Sequence, residues 1–103
     1  MEDIQKSIIR NFEIQGIEDE ITEKEFFKIL TAQVEYMLDR KLDYLLSLLY
    51  RLDVEEYKIK AALDNKTMGS PAEVLARLII DRQKQRNKTK SEYSNDNLNW
   101  DEF

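Results

Sequence analysis

The sequence predicts an all-α fold: a small bundle of four to five helices with a polar helical extension and a flexible C-terminal tail. Three observations carry that prediction. Only two Gly and one Pro occur in 103 residues, too few for the many turns of an all-β chain. Strong helix formers dominate the composition. Apolar residues recur at steps of three and four rather than two. The length suits one domain, with little room for a second.

The first element places Ile4, Ile8, Ile9 and Phe12 at helical spacing, so a helix is expected over about residues 2–15. Gly16 reads as the left-handed residue that ends it, with Ile17 folding back on Phe12. The second start is marked by "ITEKEF". Thr22 is the N-cap, Glu25 completes a capping box, and Ile21 with Phe26 form a hydrophobic staple. The apolar row Phe27, Leu30, Val34, Leu38, Leu42, Leu45, Leu49 and Leu52 then fits the period of a straight helix. One rod of that length would be roughly 45 Å long, and a monomer of this size has no means of covering it. A break near "LDRKLD" is therefore expected, with Asp39 capping the new helix. Asp53 reads as the next N-cap, with Glu56 closing its box and Leu52 and Tyr57 as staple, and the helix runs to about Leu63. "DNKTMGS" is a loop. Ser70, Pro71 and Glu73 open the last helix, whose apolar face of Val74, Leu75, Leu78 and Ile79 stops at Ile80. From there to Glu92 no apolar residue occurs, which predicts a solvated projection. The organisation expected is a bundle over 1–81, a basic helical extension over 82–90 and an acidic-aromatic tail over 91–103. No internal repeat is evident.

The net charge of −5 is unevenly laid out. Residues 1–81 carry 11 Lys and Arg against 17 Asp and Glu, residues 82–90 carry five cations and no acid, and residues 91–103 carry four acids and no cation. Only one short segment is basic, which argues against a broad nucleic-acid-binding face. Cys and His are absent. That excludes disulfides and thiolate chemistry, the commonest metal ligand and the commonest general base. The N-terminus opens acidic with no long apolar run behind it, unlike a secretory signal, and no stretch is long enough to cross a membrane. A soluble cytoplasmic protein is the expectation by elimination.

Catalytic constellations are poor. Gly16 and Gly69 are isolated and make no phosphate-cradling loop. Ser7, Ser47 and Ser70 have no His to activate them, and Ser70 is better explained as a cap. Glu35, Asp39 and Asp43 would share a face only on an unbroken helix, where Arg40 and Lys41 interleave and no second ligand-bearing segment is evident. The sequence assigns no catalytic residue, no metal ligand and no cofactor.

The stretches "LLYRLDVEEYKI" and "LARLIIDRQKQ" resemble a group of small bacterial all-helical proteins that carries no assigned function. The resemblance covers about residues 38–90. It rests on Leu49, Tyr50, Arg51, Asp53, Val54, Glu56, Ile79, Ile80, Arg82 and Gln83. It implies the helical fold and nothing about activity. Leu49-Tyr50-Arg51 also matches the signature of the mitochondrial LYR adaptors of iron–sulfur assembly. In that family the tripeptide lies near the start of a basic chain. Here it sits mid-chain in an acidic one, and we treat it as coincidence.

Three segments remain as candidates for binding. "LDYLLSLLYRL" is apolar nearly all round, so its row Leu42, Leu45, Leu49 and Leu52 belongs either to the centre of the bundle or to a homodimer face. Arg82, Lys84, Arg86, Lys88 and Lys90 form a basic patch without interleaved aromatics for base stacking. It suits a solvated helix end, a phosphate contact or an acidic partner. The tail "KSEYSNDNLNWDEF" spaces Tyr93, Leu98, Trp100 and Phe103 along an acidic strand. Trp and Tyr are enriched at binding hot spots, so the tail is expected to dock a protein partner or to fold back on its own bundle. It resembles, in style only, the acidic Phe-ended tail of bacterial single-stranded-DNA-binding proteins, without that tail's Asp run or Ile-Pro. The function expected is a non-catalytic interaction or adaptor protein. The alternative is a small nucleic-acid-associated regulator using residues 82–90.

Overall fold

The computed structural model describes residues 3–17, 21–64 and 68–96. They form five helices: α1 (Asp3–Asn11), α2 (Glu23–Arg40), α3 (Leu42–Arg51), α4 (Glu56–Leu63) and α5 (Pro71–Asp96). No strand occurs among the described residues. The all-α bundle expected from composition and periodicity is the observed fold.

The two best-marked starts fold as their sequences dictate. Thr22 Oγ1 accepts from the Glu25 N–H at 3.0 Å. The Ser70 box is reciprocal. Ser70 Oγ accepts from the Glu73 N–H, and Glu73 Oε1 accepts from the Ser70 N–H, both at 3.2 Å. Each bond satisfies an amide that the first helical turn leaves without an intrahelical partner.

α5 is the hub, packing against α1, α2 and α4, while α3 packs on α2. The core is one cluster. Ile8 and Phe12 come from α1 and its end, Phe26, Leu30, Val34 and Met37 from α2, and Leu45, Leu48 and Leu49 from α3. Ile59 and Ala62 come from α4, and Ala72, Leu75, Ala76 and Ile79 from α5. The long Leu-rich segment breaks at Lys41 (φ −141°, ψ 49°). Asp39 is not the cap expected there: it lies inside α2 and pairs with Arg40 at 2.9 Å. No side chain caps α3. The break swings Leu45, Leu48 and Leu49 onto the core, and about 1.5–3 kcal/mol per buried Leu outweighs the backbone bonds forfeited.

Two helix ends differ from expectation. α1 stops at Asn11, and the left-handed residue that follows is Glu13 (φ 54°), with Gly16 (φ 78°) three residues on. Asp53 is not the N-cap of α4. It takes φ 64° and closes α3, while α4 begins at Glu56 behind Glu55. The staple partner Tyr57 stays exposed. Both ends are Schellman motifs. After α1, the Ile14 N–H bonds Ile9 O at 3.0 Å and the Glu13 N–H bonds Arg10 O at 3.4 Å. After α3, the Val54 N–H bonds Leu49 O and the Asp53 N–H bonds Tyr50 O, both at 3.0 Å.

No helix among the described residues is long and apolar enough to cross a membrane.

Candidate functional site

Of the row considered as a dimer face, Leu45, Leu49 and Leu52 are buried in the chain's own core. Only Leu42 remains at the surface, 42% exposed. Within the single chain these three leucines pack in the core.

The basic segment divides. Arg82 does not project into solvent. Its Nε donates to Leu52 O at 2.8 Å, its Nη1 to Gln85 Oε1 at 3.0 Å, and its Nη2 lies 3.8 Å from Asp53 Oδ2. The guanidinium thereby closes the C-terminal end of α3, where carbonyls lack intrahelical donors and a cation is favoured. Gln83 is buried, so the bundle holds α5 a turn beyond its last apolar residue. Lys84, Arg86 and Lys88 are exposed. On a helix the five cations fall in two rows. Arg82, Arg86 and Lys90 form one, Lys84 and Lys88 the other, roughly 160–200° around the axis. They do not make one cationic face.

α5 continues to Asp96. Residues 84–96 add thirteen residues beyond Gln83, about 20 Å of helix. The Cα radius of gyration of 14.9 Å exceeds the roughly 13 Å of a compact 100-residue domain, as a projecting helix requires. Tyr93 falls on this projection. Leu98, Trp100 and Phe103, the other residues expected to dock a partner, lie outside the described residues.

Where α5 leaves the bundle, it forms a groove of about 300 Å³ with the starts of α1 and α2. Ile4, Phe27 and Ile80 supply apolar lining, and Lys24, Arg77 and Lys84 supply cations beside Glu23 and Asp81. The Arg77 guanidinium sits 4.8 Å from the Phe27 ring centroid, a cation–π geometry that fixes both on the groove wall. Ile4, Phe27 and Ile80 are half-buried at the margin of the core. The periodicity of each helix hints at these flanking positions, but nothing local brings residues 4, 27 and 80 together, and sequence reasoning missed the groove.

Glu35, Asp39 and Asp43 do not share a helix, because the break at Lys41 separates the third from the others. Among the described residues no three carboxylates gather as a metal-binding group.

Comparison with family models, with curated proteins and with solved structures finds no match to this chain.

Proposed function

We propose that the protein is a non-catalytic interaction module. Its bundle is a mount, and the segment bearing Tyr93, Leu98, Trp100 and Phe103 docks a partner protein. The observation that supports this reading is the reach of α5, which stays helical for thirteen residues past Gln83. Residues 97–103 span at most about 24 Å even when fully extended. Trp100, four residues past Asp96, reaches at most about 14 Å, while Lys84 lies about 18 Å back along the helix. A helical arm of this length favours an external surface over the chain's own bundle. Large aromatics gain most where a pocket removes them from water.

The test is affinity capture with full-length chain and a Trp100→Ala/Phe103→Ala variant as paired baits. A partner held by the first and lost by the second is the expected result. Identical captures from both baits would remove the tail from the function.

A second reading, a nucleic-acid-associated regulator, draws support from the exposure of Lys84, Arg86 and Lys88. The engagement of Arg82 and the division into two rows weigh against it. Steep loss of nucleic-acid binding with added salt would favour it.

A further inference from the structure

Beyond Gln83, α5 is an unfavourable helix by itself. From Asp81 to Glu92 its sequence carries no apolar residue, and a helix without an apolar stripe needs either many favourable side-chain pairs or a partner. Its charges do not help. Lys84, Lys88, Glu92 and Asp96 follow one another at four-residue steps on one slanted row. Lys84 and Lys88 are like charges at i, i+4, and so are Glu92 and Asp96, both destabilising arrangements. The one opposite pair, Lys88 and Glu92, has the weaker orientation, with the cation N-terminal.

The same row is self-complementary in one arrangement. If a second copy of α5 lies antiparallel with the twofold axis beside residue 90, Lys84 of each copy faces Asp96 of the other, and Lys88 faces Glu92. Two adverse pairs per helix become four opposite-charge pairs across the dimer. Lys84 also lines the groove between α1, α2 and α5, so this row leads into it. Opposite Lys84, residue 96 of the second copy would release its residues 97–103 over Ile80, Phe27 and Ile4. Trp100 and Phe103 would meet that apolar lining, and Asp101 and Glu102 would meet Lys24, Arg77 and Lys84.

We infer that the partner of the C-terminal segment is a second copy of this chain. The assembly is a closed twofold dimer with antiparallel α5 arms and reciprocal insertion of each tail into the other copy's groove. The inference rests on the docking role proposed above and names its partner. An isologous contact closes on itself, so the assembly stops at two. Each buried aromatic removes about 150–250 Å², so four of them with their grooves reach roughly the 1,200–2,000 Å² of a specific interface.

Sedimentation equilibrium and Trp emission on the same full-length samples test it. Trp100 is the only Trp, so its emission reports the tail directly. The wild type is expected to form dimers, with a blue shift that tracks dimer fraction. Lys84→Glu/Lys88→Glu makes the row wholly acidic, and Glu92→Lys/Asp96→Lys makes it wholly basic. Each is expected to weaken self-association about tenfold or more, and their equimolar mixture is expected to restore dimers. Far-UV circular dichroism checks that the bundle survives in both. A wild type that stays monomeric at every concentration would overturn the inference. So would a blue shift independent of concentration, which would mark docking within one chain, or dimers indifferent to both variants and to Trp100→Ala. Failure here while the paired capture still loses a foreign protein would leave the docking role standing with a different partner.

Discussion

The ends of α1 and α3 are the same device built twice with different chemistry. Each places an apolar residue at the C-cap, an acid in the left-handed position and a β-branched residue after it: Phe12-Glu13-Ile14 and Leu52-Asp53-Val54. In each, a side chain from a distant helix takes the C-cap carbonyl. Gln33 Nε2 donates to Phe12 O at 2.9 Å, and Arg82 Nε donates to Leu52 O at 2.8 Å. The acid is engaged too. Tyr44 Oη donates to Glu13 Oε1 at 3.4 Å, while Asp53 Oδ2 lies 3.8 Å from Arg82. One end is therefore closed by neutral donors from two helices, the other by a single guanidinium. A cation suits a helix C-terminus and makes the stronger bond, but it concentrates the closure in one residue.

The apolar anchors should show the largest effects. Phe12 is fully buried and Leu52 nearly so. Phe12→Ala is expected to cost about 3–5 kcal/mol and Leu52→Ala about 2–5, measured by urea denaturation. Near-zero costs would mean the C-cap positions do not anchor the core.

The donors should separate the two ends. Arg82→Ala is expected to cost about 1.5–3 kcal/mol, because a charged donor to a part-buried carbonyl is lost, against about 0.5–1.5 for Gln33→Ala. Added salt should narrow that gap, since only the guanidinium is screened. Equal costs at all salt concentrations would show that the charge contributes nothing at α3.

The left-handed acids should show the smallest effects, of opposite sign. Glu13→Gly is expected to stabilise by about 0.5–1 kcal/mol, as relief of left-handed strain exceeds the entropy glycine loses on folding. Asp53→Gly should gain less, because Asp tolerates this conformation better than Glu and its pairing with Arg82 is removed. A destabilised Glu13→Gly would make the Tyr44 contact more valuable than its 3.4 Å length suggests.

Much of the fold was legible because its signals are local. The Thr22–Glu25 and Ser70–Glu73 pairs sit three residues apart and need no tertiary contact to act. The break in the Leu-rich segment followed from the impossibility of covering a long rod, although its hinge is Lys41 and not a capped Asp39. Asp53 misled because the same acid suits the start of one helix and the end of another. Burial of both Leu52 and Val54 decided between them, and that depends on the whole core. Arg82 and Gln83 sit in a run without apolar residues, and the carbonyl that Arg82 takes is thirty positions away, so no periodicity marks either as anchored. The basic and aromatic candidates could be named from local sequence, but the groove could not, because its three walls come from residues near 4, 27 and 80.

The Arg82–Leu52 bond has a further effect on α4. It closes the chain between residues 52 and 82 into a hasp around a helix of eight residues with only Ile59 and Ala62 buried, packed on α5. Such an element belongs to the low end of the local-opening scale. Its amides should exchange as a group through a partial opening that spares α2 and the first half of α5, with that one bond as the latch.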